Sequence, residues 1–399
     1  MRLLHTSDWH LGSRLHGHDR TDELFGQVGR VLEIAEDKGV DVLLVAGDIF
    51  ECRSRQTAHE VTKRLSQILS PHIRRGLRVI LLPGNHDDRI HFRMMRALLE
   101  LEHGCCERIR VISDRDDFLF EMAGVQFAAL PYPAGEVLEK YGEQPGDGAT
   151  GAAERNKSRS AVLADLVRDL TAMLRPGVPA VFVTHINIEG VTAESGKKIG
   201  NYDQDINLAL KALPHNVSYI ELGHIHQQQQ IKSHPVPCFY SGSFDRMDFG
   251  EWKEEKGVLL IDIPESGEPA TVTSLPLDPT PFHDLHVTSA ELEGLTKVYA
   301  ADRERAFVRL TVERTKDDDP IALQRLARQT FPRLVDGVRW SGEHAPAGGA
   351  FTPLNAKDFG QTVEEYLNER FAGEPDLLQE LLKRARQLVQ EVQDAPTKD

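Results

Sequence analysis

Cysteine is scarce, with four in 399 residues. Two of them are adjacent as Cys105-Cys106, and none falls in a Cys-x-x-Cys spacing, so neither a disulfide framework nor a zinc knuckle is indicated. Cys52, Cys105, Cys106 and Cys238 read as reduced thiols. No run of eighteen or more apolar residues occurs, which leaves no candidate for a membrane-spanning helix. The first residues pass straight into a strand-like segment without the apolar stretch of a signal peptide, so a soluble, cytoplasmic protein without membrane attachment is expected. A Gly-x-x-x-x-Gly-Lys-Ser/Thr loop is also missing, and with it that kind of nucleotide-phosphate cradle. Basic residues fall short of acidic ones, 47 against 62, and the net charge of -15 argues on its own against nucleic acid, whose binding is driven by lysine and arginine releasing counterions.

Six short stretches do stand out, in fixed order: Asp8-Trp9-His10, Gly47-Asp48, Gly84-Asn85-His86-Asp87, Thr184-His185, Gly223-His224-Ile225-His226 and Tyr240-Ser241-Gly242-Ser243. The first five supply seven side chains whose oxygens and imidazole nitrogens suit two neighbouring divalent cations, with one histidine left over for proton work. Each follows an apolar run: Leu3-Leu4, Val40 to Ala46, Arg78 to Pro83, Ala180 to Thr184, and Tyr219 to Leu222. The carboxyl ends of strands in an α/β sheet form the usual ligand crevice. Asp8-x-His10 and His224-x-His226 read as continuations of their strands, because residues i and i+2 of extended chain share a face. A hydrolase is the first inference.

Charge is unevenly spread. From Arg53 to Arg110 the chain has twelve basic residues against six acidic ones, around the Gly-Asn-His-Asp stretch. Two bound cations would add further positive charge there. Arg53, Arg55, Arg89 and Arg93 are candidate phosphate contacts, although a solvated arginine-rich helix face would produce the same count.

Helical periodicity over Asp22–Lys38 and Gln56–Ser70 marks packing faces. Strand-like segments follow at Val125–Ala129, Cys238–Tyr240, Val258–Ile263 and Thr271–Leu275. The polar, glycine-rich residues 134–160 read as a surface loop. Three prolines near Pro276–Pro281 mark a domain boundary. Beyond it, Ala306–Val312, Pro320–Thr330 and Val338–Trp340 alternate strand, helix and strand. Ala345–Ala350 forms a second linker, before helices expected at Asp358–Phe371 and Asp376–Val392. In the latter, Leu377, Leu378, Leu381, Leu382, Ala385, Leu388 and Val389 line one face. The domains are expected at 1–280, 281–345 and 346–399.

The order Asp-x-His, Gly-Asp, Gly-Asn-His-Asp, His, Gly-His-x-His resembles the calcineurin-like metallophosphoesterase superfamily. Leu4 to Gly12, Gly47-Asp48-Ile49-Phe50, Tyr240-Ser241-Gly242-Ser243 and Phe249-Gly250-Glu251 resemble its SbcD family of bacterial nuclease subunits. The resemblance covers roughly residues 1 to 260. It implies an α/β fold, two mixed β-sheets flanked by helices, with a small α/β cap that shapes a DNA-binding face and C-terminal helices that clasp the coiled-coil base of an SbcC-type ATPase. A homodimer is a further expectation, and ATP would act through the partner.

The same resemblance assigns Asp8, His10 and His226 to one metal and Asn85, His185 and His224 to the second, with Asp48 bridging. His86 would stabilise the transition state or protonate the leaving 3′ oxygen, and Asp87 would orient its imidazole. Mixed nitrogen and oxygen ligation favours Mn²⁺, with Mg²⁺ as a substitute. The expected activity is a Mn-dependent DNA nuclease, a double-strand exonuclease and single-strand or hairpin endonuclease. A phosphomonoesterase or nucleotidase with the same metal centre is the alternative, because the motifs report ester hydrolysis rather than substrate size. His5 reads as a packing residue beside the site, and His16 and His18 as loop residues. Gln227–Gln230 reads as a polar strand end. Glu51 departs from the aspartate usual after Gly-Asp-x-Phe in the family.

Overall fold

The computed structural model describes residues 1–52, 54–99, 108–114, 117–133, 152–191 and 207–342, with residues 367, 378–379 and 381–387 beyond them. Two six-stranded mixed sheets lie at its centre. In the first, the order is Thr271–Pro276, Gly257–Asp262, Arg2–Thr6, Val42–Ala46, Arg78–Leu82, Ile109–Val111, with the last four strands parallel. In the second it is Gln229–Gln230, Cys238–Tyr240, Tyr219–Gly223, Ala180–His185, Val125–Leu130, Leu119–Met122, with the middle four parallel.

Side-chain alternation sorts each strand between two cores. Leu3, Val42, Leu44, Ala46, Ile80 and Leu82 join residues of the second sheet in one apolar cluster. Leu4, Leu43, Val45, Val79 and Leu81 join a second cluster with Leu24, Val28 and Leu32 of the helix Thr21–Asp37 and Val61, Leu65 and Leu69 of the helix Arg55–Arg74. On the second sheet, Leu163, Leu166, Val167 and Leu170 seat the helix Ala152–Ala172. Helices therefore cover both outer faces, and strands buried on both sides read as unbroken apolar runs rather than alternating ones.

The helix Arg55–Arg74 begins where the Ser54 side chain accepts the Thr57 N–H at 3.1 Å, satisfying one of the first-turn donors. The loop expected over 134–160 lies outside the described residues as far as 151. From Ala152 it is helix instead: no glycine or proline intervenes before Pro176, and the leucines just named recur at helical spacing. Cys52 and Cys238 are free thiols. No helix among the described residues is long and apolar enough to cross a membrane.

Residues 282–341 form a separate three-stranded parallel sheet, Phe282–Thr288, Phe307–Glu313 and Leu334–Ser341. Its own core gathers Val308, Leu310 and Val312 against Ala327 of the helix Pro320–Thr330 and Phe331 just past its end. The strand Phe282–Thr288 has no clear sequence signal because His283, Asp284 and His286 break its apolar alternation. This unit meets the first through Arg20, which is only 1% exposed. Its guanidinium donates to the Arg246 carbonyl at 2.6 Å, lies 3.5 Å from Asp245, and stands over the rings of Phe282 and Phe307. Arg333 pairs with Glu23 at 2.6 Å alongside. The expected linker 345–350 and helix 358–371 lie outside the described residues, apart from Leu367. Within the second C-terminal helix the described residues of 378–387 are helical, with Leu378, Leu381, Leu382 and Ala385 half-buried and Lys383, Arg384 and Arg386 exposed.

Phe182 is fully buried in a central strand of the second sheet. Phe182→Ala should lower unfolding free energy by about 3–5 kcal/mol, read as a shifted urea midpoint; an unchanged midpoint would contradict the packing described.

Candidate metal centre

The five motif loops leave the carboxyl ends of neighbouring strands, and the segment Ala46–Phe50 collects them. Asp8 N–H donates to the Gly47 carbonyl and His10 N–H to the Asp48 carbonyl, both at 2.9 Å. His86 N–H donates to Asp48 Oδ1 at 2.9 Å, and His185 Nδ1 lies 2.7 Å from the Ala46 carbonyl. Such approaches leave no room for side chains. A Cβ on Gly84 would stand 2.1 Å from Asp48 Oδ1, and one on Gly223 would stand 1.8 Å from the Ala46 carbonyl oxygen.

Asp8 and His10 do not continue their strand, contrary to the expectation from their i, i+2 spacing. The strand ends at Thr6, and Asp8, His10, Asp48 and His224 all have positive φ (53°, 44°, 50° and 96°). Left-handed backbone is uncommon outside glycine, and its clustering is typical of functional loops held by their surroundings. The side chains converge because the loops curl over the strand ends, with the hydrogen bonds to residues 46–48 holding them there.

Three overlapping groups of donors result among the described residues, one of them His10, Asp48 and His86. Asp8, His10 and His226 present one ligand atom each within 4.8 Å of one another, and so do Asp8, Asp48 and His185. His10 Nε2 and His226 Nε2 stand 3.2 Å apart. Asn85 Oδ1 lies 3.1 Å from His185 Nε2 and 3.0 Å from His224 Nδ1, and Asp48 Oδ2 is 3.3 Å from His185 Nε2. The Ala46 carbonyl can only accept, so the His185 Nδ1 proton is committed to it and the ring's lone pair belongs to Nε2. Carboxylate, amide and imidazole lone pairs thus face one another across short distances. That set fits a pair of divalent cations, with nitrogen and oxygen donors in mixture.

Electrostatics follow from this crowding. Burial opposes ionisation of Asp48, but the His185, His10 and His86 rings hold its carboxyl well below the usual carboxylate range. Burial likewise works against a charged His185, yet Asp48 and Asp8 outweigh it and take the ring up to about 9. His226 also reaches about 9 despite its burial, because the Glu251 carboxylate accepts from Nδ1 at 2.7 Å. Desolvation and the neighbouring His185 push the half-buried His224 down to about 4.

His86 sits exposed at the mouth, its ring 5.0 Å from that of His10. Asp87 is not beneath that imidazole. Its carboxylate is buried and accepts from the N–H groups of Gly84, Ile49 and Phe50 at 2.8, 3.1 and 2.8 Å, tying two motif loops together. Burial and the nearby Asp48 push its carboxyl up to about 7 against the pull of those three donors. Glu51 stands 3.2 Å from His10 Nδ1. His5 is fully buried, 2.9 Å from the Tyr219 hydroxyl, and burial holds its pKa well below the ordinary value. His16 lies away from the centre, 3.1 Å from Asp336 of the second unit, and the His18 ring packs 5.8 Å from that of Phe307. Gln229–Gln230 is a short edge strand.

Of the four arginines, Arg53 lies outside the described residues. Arg55 is exposed on the first turn of its helix. Arg89 donates to the Tyr132 carbonyl at 2.5 Å, and Arg93 to Asp114 at 3.0 Å. Sequence reasoning missed the part played by Glu251 behind His226, and missed Ser7, whose hydroxyl donates to Asp8 at 2.5 Å and lies 2.8 Å from Ser241. The only signal for Glu251 is its place in Phe249-Gly250-Glu251, with nothing local to link it to a histidine 25 positions earlier.

The first expected outcome concerns pH. His185 and His226 carry folded values near 9 against 6.5 for free imidazole, so their contribution to stability without metal is complete below about 6.5 and lost as pH rises through about 9. Divalent cations must displace these protons. Affinity for Mn²⁺ should therefore climb across that window, with proton release seen calorimetrically in buffers of different ionisation enthalpy; a pH-independent affinity would refute the arrangement. The second concerns Asp87→Ala, which strands three buried N–H groups at about 1–3 kcal/mol each. Its melting temperature in chelator should fall well below that of His86→Ala.

The family model for the calcineurin-like phosphoesterases matches residues 1–228, a span holding all seven metal-ligand candidates. Among curated relatives, the SbcD chain of the SbcCD nuclease of Rhodobacter capsulatus is 30% identical over 398 residues, covering 92% of this chain and 93% of its own. That of Bacillus subtilis is 28% identical over 278 residues, 68% of each chain. That of Staphylococcus epidermidis is 22% identical over 299 residues, 74% of each. With the folded donor cluster lying inside the matched span, the chain belongs to the calcineurin-like phosphoesterase family, on its SbcD nuclease branch.

Proposed function

We propose that the chain is the nuclease component of an SbcCD-type DNA repair complex, a Mn²⁺-dependent phosphodiesterase that works from double-strand ends as an exonuclease and cuts single strands and hairpins as an endonuclease. The observation that carries this reading is the convergence of Asp8, His10, Asp48, Asn85, His185, His224 and His226 at one strand-end crevice, with His86 exposed at its mouth.

Two divalent cations held there would activate water and offset charge on the phosphate in the transition state. Asp48, buried and kept ionised, has two oxygens to share between them. Asn85 adds an oxygen without charge, so an incoming phosphodiester meets less repulsion than a third carboxylate would give. His86, beside His10 and Asp48 but open to solvent, is placed to donate a proton to the leaving 3′ oxygen. Its backbone N–H on Asp48 Oδ1 fixes its base, while Asp87 acts indirectly by holding the loop.

Residues 1–280 would form the nuclease domain and 281–345 a cap over the DNA path. Arg55, Arg89 and Arg93 lie on the helices Arg55–Arg74 and Arg89–Leu99 that flank the Asn85-His86 loop, where phosphate contacts would serve. Residues 346–399 would bind the SbcC-type partner, in keeping with the amphipathic pattern of the described residues of 378–387. A second copy of the chain is supported by Ile90, Met94 and Leu98, which recur every fourth residue and are 64%, 61% and 65% exposed, the kind of apolar patch that marks an interaction surface.

Activity on linear duplex, hairpin and single-stranded DNA should exceed that on nucleoside monophosphates, require Mn²⁺ and vanish in chelator; hydrolysis confined to monophosphates would overturn the nuclease reading in favour of the nucleotidase. His86→Gln should lower turnover by about 10²–10⁴-fold while Mn²⁺ binding stays intact by calorimetry.

A further inference from the structure

Among the four imidazoles of the centre, His226 alone has a buried carboxylate behind it. His185 turns Nδ1 to a main-chain carbonyl, and His224 turns Nδ1 into the site toward Asn85. His10 has Glu51 3.2 Å from Nδ1, but that carboxylate is 37% exposed, and among the described residues His10 Nδ1 makes no hydrogen bond. Behind His226, Glu251 Oε1 accepts from Nδ1 at 2.7 Å. Glu251 Oε2 is gripped in turn by Lys256 Nζ at 2.7 Å and by Met247 N–H at 3.0 Å, with the Ser243 hydroxyl at 3.4 Å.

Lys256 is 3% exposed. Its ammonium group donates to the His226 carbonyl at 2.9 Å, to Ser243 Oγ at 2.9 Å and to Glu254 at 2.8 Å. One lysine thus holds His226 from two sides, directly at its backbone and through Glu251 at its ring. Glu251 ends the short helical turn Phe249–Glu251, whose start is capped by Asp248. Of the partners of the Glu251 carboxylate, Lys256 and Ser243 also bond the His226 carbonyl, through Nζ and the backbone N–H.

We propose that Glu251, locked by Lys256, is a positioning residue for the cation at Asp8, His10 and His226. It fixes the tautomer of His226 with the proton on Nδ1, prevents ring rotation, and strengthens Nε2 as a ligand by placing negative charge on the far side of the imidazole. Outer carboxylates of this kind commonly change metal affinity by about 10–100-fold. The inference rests on the metal centre of the proposed function and concerns one of its two ions.

The test is Mn²⁺ titration of chelator-stripped full-length protein by calorimetry and electron paramagnetic resonance, with melting temperature recorded in chelator. The unaltered chain should bind two ions. In Glu251→Ala one ion should weaken by about 10–100-fold while the other keeps its affinity. Glu251→Gln, whose amide oxygen can still accept from Nδ1, should recover part of the loss. Glu51→Gln should weaken binding less than either variant. Equal weakening of both ions in step with a lowered melting temperature would show a merely structural role and overturn the proposal, as would unaltered binding by Glu251→Ala. If Glu251→Ala fails to fold, the Glu251→Gln result decides: unchanged affinity for both ions overturns the proposal, and selective weakening of one supports it. Failure of the unaltered chain to bind two ions would strike the proposed metal centre itself and so is distinguishable from failure here.

Discussion

Everything in the centre leans on five residues of backbone, Ala46 to Phe50. Their carbonyls and amides receive Asp8, His10, His185 and the Asp87 carboxylate, so loops from both sheets register against one template. An enzyme that must gather ligands from distant parts of its chain has to overcome the entropy of ordering each loop. Here that cost is met by buried hydrogen bonds to a segment that leaves the central strand Val42–Ala46 of a sheet covered on both faces. Glycines at 47, 84 and 223 are the geometric condition for it, since side chains there would collide with the atoms being gathered.

The same constraint explains why ligand-bearing residues adopt left-handed backbone. Aspartate and histidine tolerate that region better than branched residues, but at some cost in conformational energy. The strain is offset by main-chain pairing on either side. Charge is arranged on a similar principle: Asp48 is held ionised by surrounding imidazoles, and His185 and His226 are held protonated by neighbouring carboxylates.

Much of this was legible in the sequence. Unbroken apolar runs identified strands covered on both faces, and the order of motifs indicated which loops would meet. What the sequence could not convey was direction. Asp8 and His10 look like alternate residues of a strand, because periodicity carries no sign of φ; the chain had in fact already left the strand at Thr6. Asp87, adjacent to His86, invited pairing with it, yet three main-chain donors nearer in space claimed the carboxylate. Glu251 and Lys256 lie too far along the chain from His226 for spacing to join them. The strand Phe282–Thr288 was hidden by its polar residues, and the helix Ala152–Ala172 by the glycines that precede it.

Arg20 leads to a different consequence. A cation belonging to the N-terminal unit is sealed by aromatic rings belonging to the C-terminal sheet, and its guanidinium grips the chain at Asp245 and Arg246, a few residues before Glu251. The two units are therefore not interchangeable modules. Replacing residues 282–341 alone would strip the Arg20 guanidinium of the rings that cover it and disturb its grip on Asp245 and Arg246.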